Sequence, residues 1–299
     1  MAGSIGVKYP WANPLQKENL YKSLQMKIKW LCTLWGMNKP ALEDNLKAIK
    51  DAGFEGVEMK VPDDSAGRNR LGVLLKEIGL DLVAQVRAEG ATADAQIESL
   101  KKGIGEVLGL NPLLVNVHCG KDFWHFRENR RVIVSVQSFA GERGIKVLHE
   151  THRGRAAFCT TATMDIIEAV PVIRFTADFS HWCCVHNSLL QDQREAVGRV
   201  IERADYIHAR VGCATSPQIT DPRAPEWKDA VESHIRWWEK IAEHQKKNHA
   251  EYLPICSEFG PPPYMATLPF TGKPIADAWE INCYMKDMLK DRLGHFMES

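Results

Sequence analysis

The chain has 299 residues, of which 44% are hydrophobic and 25% are charged, and its 38 basic residues balance its 38 acidic residues. This composition is that of an ordinary globular protein and excludes a collagen, a long coiled coil and wholesale disorder. Because the net charge is zero, no overall field attracts a polyanion, and we expect no nucleic acid partner. No run of about 18 apolar residues is present, so we expect no membrane association.

The first 26 residues lack the apolar segment of a secretory signal and are interpreted as an N-terminal extension, which precedes a single domain over residues 27–299. The eight cysteines are spread along the chain without a CxxC pair. This usage is typical of reduced thiols, and it favours a cytoplasmic protein over a disulfide framework or a zinc ribbon.

Eight short strand-like runs alternate with longer amphipathic segments. The strands are predicted at 27–34, 56–59, 80–86, 113–118, 145–149, 173–177, 206–209 and 253–257. The helices are predicted at 40–51, 70–78, 92–108, 128–143, 189–204, 227–248 and 275–293. Strand starts that recur about every 30 residues match the size of a βαβ unit. The pattern predicts an α/β fold, a single (β/α)8 TIM barrel, because a doubly wound sheet would need a glycine-rich fingerprint after its first strand.

The longest interval between strands includes residues 211–226, which are rich in Pro, Ser and Thr. Long loops inside compact domains are usually functional. This loop is therefore predicted to be a mobile lid, with Arg223 among the substrate contacts.

The C-terminal ends of the predicted strands carry the side chains that are suited to catalysis or metal binding. Active sites of barrels of this kind form at that end. From the fourth strand onward every strand end offers a histidine or a carboxylate, namely His118, Glu150 with His152, Asp178 with His181, His208 and Glu258. Carboxylate and imidazole ligands at one open site suit a divalent metal ion such as Mn²⁺, Mg²⁺, Co²⁺ or Zn²⁺. His118 and His181 could either bind a second metal or hold substrate hydroxyls.

With these residues, the sequence resembles the xylose isomerase-like TIM barrels, the family of sugar phosphate isomerases and epimerases that includes ketose 3-epimerases and endonuclease IV. The resemblance spans about residues 27–292 and rests on Glu150, the motif Asp178-x-x-His181, His208 and Glu258. It implies that one divalent metal is held by Glu150, Asp178, His208 and Glu258. It also implies that Glu150 and Glu258 act as acid and base. The substrate contacts that we predict are His118, His152, Arg153, His181, Arg210 and Arg223.

Two departures limit what the resemblance implies. Ala156 stands where the epimerases have a further glutamate. The additional histidines that endonuclease IV uses for its three zinc ions are absent after the second and third strands and after His208. Because His118 matches an endonuclease ligand, a second metal stays open.

The leading interpretation is a divalent-metal-dependent isomerase or epimerase of a sugar, keto-sugar or polyol that works through an enediolate. The alternatives are a metal-dependent dehydratase or lyase on a cyclitol or keto-sugar, an abasic-site endonuclease and a non-catalytic sugar-binding barrel. We expect a small carbohydrate substrate and a homo-oligomer, either a dimer or a tetramer. The arginines Arg153, Arg155, Arg210 and Arg223 could meet a phosphate, but equally a carboxylate.

Overall fold

The computed structural model describes residues 26–296. Eight parallel strands close into a barrel in chain order, and the first strand pairs with the last from Lys27 to Cys32. The strands are β1 (Lys27–Thr33), β2 (Gly56–Met59), β3 (Asp81–Arg87), β4 (Leu114–His118), β5 (Val147–Glu150), β6 (Phe175–Ala177), β7 (Ala204–Ala209) and β8 (Tyr252–Ser257). The predicted (β/α)8 barrel is confirmed. Residues 1–25 of the predicted extension lie outside the described residues, while Met26 is buried beside the barrel.

Helices surround the barrel and cover the outer faces of its strands. They are α1 (Leu42–Asp51), α2 (Ser65–Ile78), α3 (Ala93–Val107), α4 (Phe126–Gly141), α5 (Thr160–Ala169), α6 (Phe179–Val185), α7 (Arg194–Ile201), α8 (Lys228–Lys247) and α9 (Ala278–Leu293). Short 3₁₀ turns lie at Leu108–Leu110, Pro225–Trp227 and Gly294–Phe296. None of the helices within residues 26–296 combines the length and apolar character needed to cross a bilayer.

Two of these helices, α5 and α6, were not predicted from the sequence. The first turns of α5 are rich in threonine, which has a low helix propensity, and Thr160 and Thr163 are buried. In α6, all residues from Phe179 to Cys183 are buried, so the segment has no polar face that would reveal a helical period. The buried face of α5 therefore begins with threonines instead of apolar residues, and α6 is buried over most of its length, so neither segment shows the apolar period of a surface helix.

The barrel interior is divided into an apolar floor and a polar upper layer. Side chains two residues apart on a strand point to the same face. The floor is a separate inner core of fully buried residues, Leu31, Val83, Leu114, Leu148, Tyr206 and Cys256. Two positions further along the same strands stand Thr33, Gln85, Asn116, Glu150, His208 and Glu258, and all six are buried. The alternation along each strand therefore places the polar residues directly above the inner core, at the C-terminal end.

Candidate metal and substrate site

A cavity of about 190 Å³ opens at the C-terminal end of the barrel. It is lined by Thr33, Trp35, Gln85, Arg87, His118, Glu150, His152, Arg155, Arg210, Glu258 and Tyr264. Trp35 forms part of the wall because Gly260 has no side chain, and a Cβ there would lie 2.2 Å from the indole ring. The cavity brings together predicted site residues from the ends of β4, β5, β7 and β8.

Glu58 on β2 holds the ring of His208 on β7. Glu58 Oε2 lies 2.6 Å from His208 Nε2 and accepts a hydrogen bond from the Tyr206 hydroxyl at 2.6 Å. Glu58 Oε1 accepts a hydrogen bond from Asn116 Nδ2 at 2.9 Å. Burial by itself would raise the pKa of Glu58, but the facing His208 ring holds that pKa below its usual value. Glu58 is therefore a buried carboxylate that fixes the orientation of the imidazole.

The other nitrogen of His208 faces two further carboxylates. His208 Nδ1 lies 2.7 Å from Glu258 Oε2 and 3.7 Å from Glu150 Oε2. Within residues 26–296, the buried atoms His208 Nδ1, Glu258 Oε2 and Glu150 Oε1 make no hydrogen bond of acceptable geometry, although the first two are in close charge contact. Burial opposes protonation of His208, yet Glu258, Glu58 and Glu150 together raise its pKa well above the usual value. Buried polar atoms are rarely left unpaired, so these three atoms form a donor set that fits a cation.

Glu150 is anchored through one of its oxygens only. Its Oε2 accepts a hydrogen bond from Asn116 Nδ2 at 2.8 Å and lies 2.5 Å from His118 Nε2. Burial would raise the pKa of Glu150, but His118 and His208 pull that pKa well below the usual value. The carboxylate is therefore ionised, and its orientation is fixed through Oε2. Its Oε1 is left to accept a hydrogen bond or to bind a cation.

Asp178 completes a second side of the site. Its backbone N–H donates to Thr151 Oγ1 at 2.8 Å, and its Oδ1 accepts from the Ser180 N–H at 3.0 Å, while its Oδ2 pairs with the Arg210 guanidinium. Burial raises the pKa of Asp178 to about 6, against the opposing effect of Arg210. Ligand atoms of Glu150, Asp178 and His208 all lie within 4.8 Å of one another.

Three of the four predicted metal ligands therefore share one small volume. The fourth, Glu258, adjoins this group through its contacts with His208 Nδ1 at 2.7 Å and Arg210 at 3.5 Å. With carboxylate and imidazole ligands only, the donor set suits the borderline and hard divalent ions named above.

Three histidines form a stack beside these carboxylates. The ring centroids of His118 and His152 are 4.9 Å apart, and those of His152 and His181 are 3.8 Å apart. Burial lowers the pKa of His152 to about 3 and that of His181 well below its usual value, so both rings are neutral. Glu150, His152 and His181 form a second group of ligand atoms within 4.8 Å. However, His181 Nε2 already accepts a hydrogen bond from Arg210 at 2.8 Å, and a second metal stays a prediction.

The predicted arginine contacts have different surroundings. Arg210 and Arg153 both lie over the Tyr264 ring, at 4.8 and 5.2 Å from its centroid, and Arg210 is buried. Arg223 is exposed and pairs with Asp221 at 2.6 Å. The structure does not bring Arg223 to the cavity.

The loop that carries Arg223 is attached to the barrel along its first half. Gln218 exchanges two hydrogen bonds with the backbone of Gly260, at 2.8 and 3.0 Å, and Ile219 is buried. The Gly212 N–H donates to His234 Nε2 on α8 at 3.2 Å. Residues 211–219 are therefore fixed against Gly260 and α8, and a mobile lid stays a prediction.

Sequence reasoning missed several residues of this site, including Glu58, Gln85, Arg87, Asn116 and Tyr206. The signal that could have found them is alternation. In β4, the polar residues Asn116 and His118 alternate with valines and share a face with Leu114. Polar residues at every second position of an otherwise apolar strand point into a barrel interior. They were missed because the segment was interpreted only as an apolar strand.

Comparisons with known proteins identify the fold. No family model and no curated protein matches the chain. Among solved structures, a D-psicose 3-epimerase from Clostridium cellulolyticum H10, crystallised with D-tagatose, is 12% identical with a TM-score of 0.59, and the match covers 91% of this chain and all (100%) of that one. A xylose isomerase-like TIM barrel protein from Mycobacterium smegmatis in complex with magnesium is 10% identical with a TM-score of 0.59, covering 92% of this chain and 99% of that one.

Endonuclease IV from Thermus thermophilus is 13% identical with a TM-score of 0.58, and the match covers 89% of this chain and 99% of that one. At these identities the comparisons show a fold and not an activity. The resemblance to the xylose isomerase-like TIM barrels is confirmed at the level of the fold, and the neighbours named include enzymes and a metal-bound protein.

Proposed function

We propose that this protein is a divalent-metal-dependent isomerase or epimerase of a small sugar, keto-sugar or polyol. The observation that supports the proposal most strongly is a set of three buried atoms that make no hydrogen bond within the described residues: Glu150 Oε1, His208 Nδ1 and Glu258 Oε2, the last two only 2.7 Å apart. Protein interiors rarely leave three buried polar atoms of neighbouring side chains without a hydrogen bond. Glu150, Asp178, His208 and Glu258 would hold the ion.

The chemical difficulty in such a reaction is that a C–H bond beside a carbonyl is barely acidic. A bound divalent cation would supply Lewis acidity to the carbonyl and its neighbouring hydroxyl. Glu150 and Glu258 both line the cavity, so one can remove a proton from carbon while the other returns a proton. The buried guanidinium of Arg210, which lines the same cavity, stabilises negative charge that develops on substrate oxygens.

The neutral histidines have a different role in this scheme. With their pKa values lowered by burial, His152 and His181 carry no charge and can hydrogen-bond to substrate hydroxyls as donors or acceptors. The floor below Glu150 is apolar, which keeps water from the base of the site. The residues therefore bind, orient and exchange protons without adding further positive charge.

The test begins with metal-free protein reconstituted separately with Mn²⁺, Mg²⁺, Co²⁺ and Zn²⁺. Elemental analysis is expected to give about one ion per chain for at least one metal, and His208→Ala is expected to lose it. The reconstituted protein is then incubated with a panel of ketoses and keto-sugars, and isomers are detected by NMR. A wild-type protein that holds none of the four metals, or equal metal in His208→Ala, would contradict the proposal.

A further inference from the structure

Two arginines at the cavity have no role in the proposed chemistry. Arg87 and Arg155 both line the 190 Å³ cavity together with Glu150, His118 and Arg210. Within residues 26–296, neither guanidinium has a carboxylate within ion-pair distance. By contrast, Arg210 at the same cavity is paired with Asp178. Arg87 is exposed and Arg155 is partly buried, so two positive charges at one wall of the cavity are accessible to a ligand.

Arg87 is directed at the cavity by its strand and by one hydrogen bond. It is the last residue of β3, in register with His118, the last residue of β4. Its Nε donates to Gln85 Oε1 at 2.9 Å, while Gln85 Nε2 lies 3.4 Å from Glu58 Oε1. The guanidinium keeps its remaining N–H groups for a ligand, and its position is linked to the same carboxylate that orients His208.

Arg155 reaches the cavity from a tight turn after β5. Gly154 has a φ of +75°, a backbone conformation that favours glycine, and the Arg155 N–H donates to the His152 carbonyl at 3.2 Å. The Ala156 N–H then donates to the Cys119 carbonyl at 3.0 Å, which fixes the end of the turn against β4. Burial and the neighbouring Arg87 both lower the pKa of Arg155. Two like charges therefore line one cavity, and the backbone that carries Arg155 is fixed by these hydrogen bonds.

We propose that Arg87 and Arg155 form an anion subsite, and that the substrate is an anionic keto-sugar whose carboxylate or phosphate binds there. This inference rests on the proposed function and narrows its substrate class. A pair of guanidinium groups presents parallel N–H donors that match the oxygens of either anion. The anion would neutralise the repulsion between the two arginines, which a neutral sugar cannot do. A cavity of about 190 Å³ is smaller than a site for a drug-sized ligand, so the substrate is on the scale of a single sugar.

The experiment compares matched neutral and anionic probes by isothermal titration on the metal-reconstituted protein. The probe pairs are D-fructose with D-fructose 6-phosphate, and D-glucose with D-glucuronate, with inorganic phosphate as a further probe. We expect at least one anionic member to bind at least about 10-fold more tightly than its neutral partner. If the anionic member is preferred only in the fructose pair, the subsite binds a phosphate. If it is preferred only in the glucose pair, the subsite binds a carboxylate.

The double variant Arg87→Gln/Arg155→Gln is expected to lose that preference and to keep the wild-type metal content. Arg130→Gln, which removes one exposed positive charge on α4 outside the cavity, is the matched control and is expected to keep the preference. Equal affinities within both pairs for the wild type, or an unchanged preference in the double variant, would overturn the subsite.

Metal content measured on the same samples separates the two proposals. A protein that holds metal and isomerises a neutral sugar, without any anion preference, leaves the proposed function intact and removes the subsite. An anion preference that depends on both arginines in a protein that holds no metal supports the subsite and removes the proposed function.

Discussion

His208 Nε2 lies 2.6 Å from Glu58 Oε2, and the opposite ring nitrogen, Nδ1, lies 2.7 Å from Glu258 Oε2. The imidazole is thus clamped between two carboxylates from opposite parts of the barrel. Histidines that ligate metals commonly donate their second N–H to a carboxylate, which fixes the direction of the ligating nitrogen. Glu58 is accordingly a positioning residue for His208, although it faces away from the proposed ion.

The first prediction follows from this contact. Glu58→Gln is expected to weaken divalent-metal binding by about 10- to 100-fold, because the ring loses the charge that orients and polarises it. Affinity is measured by competition with a fluorescent chelator, and circular dichroism checks the fold. Glu168→Gln, an exposed carboxylate on α5, serves as the control and is expected to bind metal as the wild type does. Equal affinity in Glu58→Gln and the wild type would remove the positioning role.

The second prediction concerns the buried pair of Arg210 and Asp178. Arg210→Leu leaves the Asp178 charge without its partner, and we expect the free energy of unfolding to fall by about 3–5 kcal/mol. The exposed pair of Arg223 and Asp221 gives the comparison, since Arg223→Leu is expected to change stability by no more than about 1 kcal/mol. Urea unfolding of the metal-free variants measures both values.

The same pair offers an internal check. In the double variant Asp178→Ala/Arg210→Leu, the free energy of unfolding is expected to fall by less than the sum of the two single losses. The reason is that removing both partners leaves neither charge of the pair buried alone. Additive effects of the two substitutions would show that the ion pair is not the source of the loss.

The third prediction follows the hydrogen. If Glu150 and Glu258 act as base and acid, turnover in D₂O places deuterium at the rearranged carbon, because a proton on a carboxylate exchanges with solvent. Glu258→Gln is expected to lower kcat by at least about 10²-fold. Mass spectrometry and NMR of the product give both readouts. A direct hydride shift would instead give product without deuterium, and that result would rule out the acid–base route while leaving the metal site in place.

The fourth prediction is a pH dependence of stability that arises from His234, a buried residue of α8. Its Nδ1 donates to the Ala230 carbonyl at 2.9 Å and its Nε2 accepts from the Gly212 N–H at 3.2 Å, so the ring is neutral. Burial lowers the pKa of His234 to about 4. The unfolded chain takes up this proton below about pH 6.5, whereas the folded protein does so only near pH 4.

The contribution of His234 to stability is therefore fully present above pH 6.5 and is lost as the pH falls toward 4. A shift of this size corresponds to about 3 kcal/mol. Urea unfolding between pH 7 and pH 4 is expected to show a steeper loss for the wild type than for His234→Gln. Parallel curves for the two proteins would contradict the assignment.

The strands and the barrel could be predicted from the sequence because parallel strands covered on both faces are continuous apolar runs. The segment around Leu114 is such a run, and β4 begins within one residue of the predicted position. Helix α6 could not be predicted in this way, because its residues from Phe179 to Cys183 are all buried and its start depends on the Asp178 side chain, which caps the Ser180 N–H. Whether this segment forms a helix depends on its burial in the tertiary structure, which the local sequence does not encode.

The candidate ligands at strand ends were accessible to sequence reasoning because barrel topology brings all strand ends to one rim. Glu150, Asp178 and His208 do come within 4.8 Å of one another. Glu58 and Arg87 were not among the predicted site residues, because their part depends on the register between strands. Glu58 acquires its role through contact with His208, which lies 150 residues away in the chain. A single sequence shows which residues of a strand point to the same face of the barrel. It does not show which side chain from a distant strand they will contact.

The inner core beneath the carboxylates determines from which end of the barrel a ligand can enter and leave the cavity. Leu31, Val83, Leu114, Leu148, Tyr206 and Cys256 close the barrel from below. Under the proposed function, reactant and product would therefore share the path at the C-terminal end of the described barrel, because a cavity of about 190 Å³ holds one small sugar at a time. Each product molecule has to leave before the next reactant arrives. The two isomers of the proposed reaction would then compete for one cavity, and product would inhibit the forward reaction by occupying it.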